Sequence, residues 1–326
     1  MVVDSVYDKK MGAVKWLRIG DSLQIIHSDD RSLFEEHALT VVFHGKPLVA
    51  KNAPWDGGMV WSLDSNDNPF VGVACQNIGA SFWLPCHDNL NDEPDRGIRM
   101  KLTIPDTNLS AVGNGKLVSK KITDGTGVFQ WEVTNPINPY NITMNIGDYV
   151  LIEDHFKEDT ISFPLSYYVL RDNYKKAILH FQQIKPMLKS YHELFGPYPF
   201  REDGFKVVES PFWGMEHQSN IAYGNGFKNN EYGFDFILVH EAAHEYWGNS
   251  VSCRSADEFW MHEAFATYTE ALLLEKQYGA DSSLKYLLEQ RTKIKNDHKM
   301  EESRMTSTDM YYKGTWMLHT MRNSLN

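Results

Sequence analysis

The stretch LVHEAAHEYWGN, residues 238–249, holds His240, Glu241 and His244 in the order His-Glu-x-x-His. On an α-helix, residues four apart share a face, one turn from each other. His240 and His244 can therefore aim two imidazoles at a single ion. Glu241 follows about 100° round the axis, beside the ion but outside its ligand set, where a carboxylate can take a proton from water. Taken alone, the five residues also suit an exposed histidine face. Glu263, in WMHEAFATYTE, supplies a third donor, with 18 residues separating it from His244. That gap fits a turn and a returning helix. Two histidines and one carboxylate leave a fourth position open, the arrangement of catalytic rather than structural zinc. Glu270 returns to nearly the face of Glu263 but too far along the axis to bind the same ion. It either accepts a hydrogen bond from a ligand histidine or faces water.

The elements around these residues change character along the chain. The first half reads as antiparallel β-structure. In GIRMKLTIP, Ile98, Met100, Leu102 and Ile104 alternate with polar residues, the period of a half-buried strand. Phe129, Trp131 and Val133 do the same, and so do Ile142, Met144 and Ile146. Turn-rich stretches such as SNDNP separate the runs. Near residue 170 the period becomes helical. Asp172 is expected to cap a helix that Pro186 kinks or divides and Gly196-Pro197 ends. A strand at GFKVVESP follows, then helices at about 234–248, 257–278 and 282–297. Asp257 and Asp281 are the expected starts and Gly279 a stop. A last helix is expected from about Lys313, with Trp316, Leu318 and Met321 short of partners. The predicted class is α+β: an N-terminal β domain over 1–170 and a mainly helical catalytic domain with a small sheet over 171–326.

Composition narrows the function. Hydrophobic residues make up 42% and charged residues 23% of the 326, an ordinary globular balance. A formal net charge of −11 offers no basic footprint for nucleic acid, so none is expected as a partner. Cys75, Cys86 and Cys253 are too few and too scattered for a disulfide framework. No apolar run reaches the roughly 18 residues of a transmembrane helix. The N-terminus shows no signal-peptide core, and the compartment stays open.

Several segments resemble the gluzincin aminopeptidases, the family of aminopeptidase N and leukotriene hydrolase. HEAAHEYWGN followed by Glu263 is similar to their zinc motif. PFWGMEHQSNIAYGN resembles their Gly-x-Met-Glu-Asn block, with Gly214, Met215 and Glu216, and with His217 where Asn is usual. ACQNIGASFWLPCHD resembles the edge of the family's saddle-like N-terminal domain, and LFGPYPF the segment before its central strand. MYYKGTW fits the Tyr-x-Lys-Gly motif through Tyr311, Lys313 and Gly314.

The resemblance implies a thermolysin-like catalytic domain and one zinc per chain on His240, His244 and Glu263. It implies Glu241 as general base and Tyr311 as the group that stabilises the oxyanion, with Tyr312 as the competing tyrosine. Glu216, helped by Gln76, would hold the free amino terminus of a peptide. Gly214 and Met215 would line the substrate, with the aromatics Phe212, Trp213 and Tyr223 in the first pocket or in the core. Gln76 and Met215 also suit a strand edge and the core respectively. The family continues into a large helical domain where this sequence stops, so a truncated form is expected. The alternatives are an endopeptidase, a hydrolase of a small epoxide, or an inactive peptide-binding relative.

Overall fold

The computed structural model describes residues 1–10, 12–26, 38–75, 79–300 and 307–325. The N-terminal part is antiparallel β-structure, as the period-two alternation predicts. Strands Lys116–Thr123, Thr126–Val133 and Ile98–Ile104 form one sheet. There Trp131 pairs with Met100 and Phe129 with Leu102, so the apolar residues of both strands share a face. A four-stranded sheet runs in the order Gly58–Leu63, Pro69–Ala74, Met144–Gly147, Ser110–Gly113. Its third strand departs from the expected pattern. Asn145 and Gly147 are buried, while Met144 and Ile146 are only partly so. Buried polar groups around this strand tie the halves of the molecule together. Asn141 Nδ2 donates to Asn249 Oδ1 at 2.8 Å, and Asn114 Nδ2 to the Gln218 carbonyl at 2.7 Å. Polar side chains there hold two layers in register, so apolar alternation did not reveal which face is inside.

A five-stranded sheet carries the chemistry. Its order is Tyr149–Glu158, Ile161–Leu170, Phe205–Glu209, Ile221–Tyr223, Gly214–Met215. The hairpin 149–170 joins it through a parallel pairing of Ile161–Leu170 with Phe205–Glu209. The division expected between residues 170 and 171 therefore falls inside the span of one sheet. The change in composition there marks where helices begin, not where a sheet ends. Lys206, on the middle strand, is 4% exposed. Its Nζ donates to the carbonyls of Gly113 and Gly115 and lies 4.1 Å from the Trp131 ring centroid. Burial pulls its pKa well down, against the charges of Asp203 and Glu245.

The described residues form six helices: α1 (Tyr174–His180), α2 (Ile184–Phe195), α3 (Phe236–His244), α4 (Trp260–Tyr278), α5 (Ala280–Arg291) and α6 (Asp309–Leu325); α1 and α3 pack on this sheet, α4 lies on α3, and α5 and α6 lie on α4. The first expected helix is divided, but at the 3-10 turn Phe181–Gln183 rather than at Pro186. Pro186 sits in the first turn of α2, where a missing N–H costs nothing. Asp172 does not cap the helix; it accepts from Ser65 and Asn66. Asp257 lies in a 3-10 turn, Ala256–Glu258, ahead of α4. Gly279, at φ 88°, ends α4 and opens α5. α6 starts at Asp309, whose carboxylate accepts from the backbone N–H groups of Lys295 and Asn296. Trp316 and Leu318 do find partners in the main core, and the Trp316 indole donates to the Leu287 carbonyl at 2.9 Å. Met321 stays 53% exposed. The three cysteines are free thiols. Among the described residues no helix is long and apolar enough to cross a membrane.

Candidate metal centre and cleft

Helix α3 is apolar on nearly every side and buried from Ile237 to His244, as a helix in the middle of a core must be. Asp235 caps it, accepting from the Leu238 N–H at 3.2 Å. The same carboxylate accepts from Tyr223 and Asn225 and contacts His180 Nε2 at 2.6 Å. The start of the helix is thus pinned from three sides.

The one-turn spacing brings His240 Nε2 and His244 Nε2 to 3.2 Å from each other. Glu263, in the first turn of α4, places Oε2 3.1 Å from the first and 3.4 Å from the second. The outer nitrogens are also engaged. His240 Nδ1 meets Glu270 Oε1 at 2.8 Å, and His244 Nδ1 meets the Trp247 carbonyl at 3.0 Å. Both partners are pure acceptors, so in the neutral rings each Nδ1 carries the hydrogen. Two Nε2 lone pairs and a carboxylate oxygen then face one another, with 5%, 1% and 1% of the residues exposed. Three buried acceptors aimed at one point repel unless a cation lies between them. An N,N,O donor set suits zinc. The residues fit the metal.

Glu270 is fully buried rather than solvated. Besides His240 it accepts from the Tyr286 hydroxyl and, at 3.4 Å, from Gln290. Both come from α5, which Gly279 turns back alongside α4. A carboxylate so held fixes the ring of His240. Nothing local in the sequence pointed to Tyr286, because the pairing depends on how two helices pack.

Glu241 projects from α3 against the edge strand Gly214–Met215. A Cβ on Gly214 would lie 2.6 Å from Glu241 Oε1 and 2.8 Å from Ile237 Cγ2. Only glycine lets the strand approach this closely. Gly214→Ala is therefore expected to keep the metal but displace Glu241 and cut kcat/KM by about 100-fold, the scale of a 1 Å misplacement. Kinetics together with metal content check this. Loss of less than threefold would show that the carboxylate can move without cost. Glu216 follows at the end of the strand, 2% exposed, with Oε1 lacking a hydrogen-bond partner among the described residues. Acidic oxygens of Glu216 and Glu241 lie within 4.8 Å of each other and of a His244 nitrogen. Burial pushes the Glu216 carboxyl up, against the pull of His244.

Tyr311 and Tyr312 both line the cleft above these groups, which encloses about 250 Å³. The Tyr311 ring centroid is 6.0 Å from that of His240, whereas Lys293 Nζ sits 5.0 Å over the Tyr312 ring. Gly314 sets their height. Its Cβ would lie 2.5 Å from Ala264 Cβ, so α6 rests directly on α4 beside Glu263. Met215 is 1% exposed; it belongs to a core cluster and also lines the cleft. Phe212 and Tyr223 are core, while Trp213 faces the cleft. His217 is wholly buried, and neither ring nitrogen has a partner among the described residues. Burial drives its pKa down to about 3. Gln76 lies outside the described residues. Trp55, Pro54 and Phe236 also line the cleft, and no motif in the sequence singled them out; Trp55 comes from a loop far away in sequence.

Residues 227–325 match the Peptidase family M1 domain. A leucyl aminopeptidase of Saccharolobus solfataricus is 23% identical over 241 residues, 71% of this chain and 29% of the relative. This chain thus spans less than a third of that relative's length. Among solved structures, an M1 zinc metallopeptidase of Deinococcus radiodurans with a Tyr-Ser-Ala substrate superposes with a TM-score of 0.80 at 17% identity, covering 99% of this chain and 73% of that one. Yeast LTA4 hydrolase gives 0.76 at 17% identity, covering 99% and 52%.

Proposed function

We propose that this chain, through its Peptidase family M1 domain, carries the catalytic centre of a zinc aminopeptidase that removes the first residue of peptides. The observation behind this is a buried carboxylate, Glu216, with an oxygen that has no hydrogen-bond partner among the described residues, beside three donors that fit a metal. His240, His244 and Glu263 would hold one zinc per chain. Zinc held there would make water more acidic and polarise a carbonyl. Glu241 takes the proton of the attacking water and passes it to the leaving amine. The Tyr311 hydroxyl donates to the oxyanion as it forms; a preorganised donor of this kind is worth about 3–4 kcal/mol. Glu216 pairs with the substrate ammonium in a charge-assisted hydrogen bond. Gly214 and Met215 run along the bound backbone, and Gln76 is the second group proposed for the ammonium.

An N-acetylated peptide lacks that charge and adds bulk at Glu216. It is expected to be cleaved at least about 100-fold more slowly than the free peptide, since a misplaced amine misplaces the scissile carbonyl. Glu216→Ala should raise KM, lower kcat/KM and shrink this discrimination. Comparing both proteins on both peptides is the test. Equal cleavage of free and acetylated peptides by the wild type would make the protein an endopeptidase with the same metal chemistry.

A further inference from the structure

The cleft has an aromatic wall that the catalytic steps do not use. Trp213 is 45% exposed and Trp55 is 40% exposed. Their ring centroids are 6.4 Å apart. Trp213 lies 5.7 Å from Phe236, which stacks on His240 at 5.4 Å and 29°. Large apolar side chains left in water beside a site mark a binding surface. These are also held in place. The Trp213 indole N–H donates to Asn225 Oδ1 at 3.2 Å, and Asn225 Nδ2 donates to Asp235 Oδ1 at 2.9 Å. The ring is therefore fixed to the cap of the helix that carries His240 and His244.

The order of groups along the edge strand says which part of a substrate meets this wall. Glu216 stands at one end. Gly214 comes next, level with Glu241, because its missing Cβ would touch that carboxylate. Trp213 lies beyond. A peptide with its ammonium at Glu216 and its first carbonyl level with Glu241 must send its second residue toward Trp213. Two residues of extended chain cover about 7 Å, and a large side chain reaches the indole.

We propose that Trp213, supported by Trp55, forms the subsite for the side chain of the second substrate residue and selects large apolar groups there, aromatic ones above all. Aromatic rings gain from offset or edge-on contacts beyond the area they bury, and a ring fixed in advance costs little to order on binding. This rests on the aminopeptidase reading, and the test separates the two.

The test measures kcat/KM of the zinc-loaded protein on tripeptide amides Leu-Xaa-Ala with Xaa Phe, Leu, Gly or Asp. The wild type is expected to favour Phe over Gly by about 10- to 100-fold, the range that an apolar pocket delivers. Trp213→Ala should collapse that ratio below about threefold, Trp213→Phe should retain most of it, and Trp55→Ala should fall between. Trp55→Ala, in an exposed loop, keeps the proposal testable if Trp213→Ala does not fold. A parallel series Xaa-Gly-Ala varies the first residue. A flat second-residue preference in an active wild type overturns the subsite and leaves the aminopeptidase standing. So does a Trp213 effect confined to the first-residue series. No cleavage of any free peptide overturns the aminopeptidase reading itself.

Discussion

Glu241→Gln is expected to leave the metal bound and remove nearly all turnover, a loss of about 10²–10⁴ in kcat. The amide keeps the size and packing of the side chain against Gly214 and Ile237, so the site should hold its shape. What disappears is the ability to take a proton. The surroundings of Glu241 favour proton uptake. Burial pushes its carboxyl up to about 8, against the pull of His240, while Glu216 adds to the rise. A cation at the histidines acts in the opposite sense and lowers it, which keeps the carboxylate form available as a base. The measurement is kcat with metal content on the same preparation. A variant that keeps its metal and more than a tenth of wild-type turnover would remove Glu241 from the proposed role.

His244→Ala is expected to lose both metal and activity. It leaves one imidazole and one carboxylate, too few to close a tetrahedral zinc site. Elemental analysis should fall from about one zinc per chain to near zero, with no recovery on adding zinc at the level that saturates the wild type. Stability reports the same event independently of turnover. A metal that binds only the folded chain stabilises it by about 4 kcal/mol when present at a thousand times its dissociation constant. Chelator should therefore lower the melting temperature of the wild type and leave that of His244→Ala unchanged. Equal shifts in both would place the metal elsewhere.

How much of this was readable in advance depended on how local each feature is. His240, Glu241 and His244 lie on one helix, so their geometry follows from helical period alone. Glu263 needed only a turn and a returning helix. The alternating strands Ile98–Ile104 and Thr126–Val133 were legible because one of their faces is core. The strand Met144–Gly147 was not, since its buried positions are Asn145 and Gly147, beside a polar interface where Asn141 reaches Asn249 and Asn114 reaches the Gln218 carbonyl. The same limit hid Tyr286 behind Glu270 and Trp55 beside Trp213. Each pairs residues brought together by packing, which no local pattern encodes. The hairpin 149–170 was placed with the wrong neighbours for that reason: its strand character was evident, but its parallel partner at Phe205–Glu209 lies beyond two helices. Glu270 shows the intermediate case, where periodicity gave the face and only the packing of α5 decided between water and histidine.

The side-chain nitrogen of Lys206 joins the two parts of the molecule in a way that limits how either can change alone. Its donors are spent on the carbonyls of Gly113 and Gly115, which belong to the antiparallel part, while its backbone is the middle strand of the sheet below the cleft. Separated, one part would lose the carbonyls and the Trp131 ring that enclose its lysine, and the other would be left with two carbonyls without their donor. Neither half is a module that could be transplanted intact. Drift at position 206 is tied to the segment Gly113–Gly115, and the helical half inherits its rigidity only together with the β-structure it rests on.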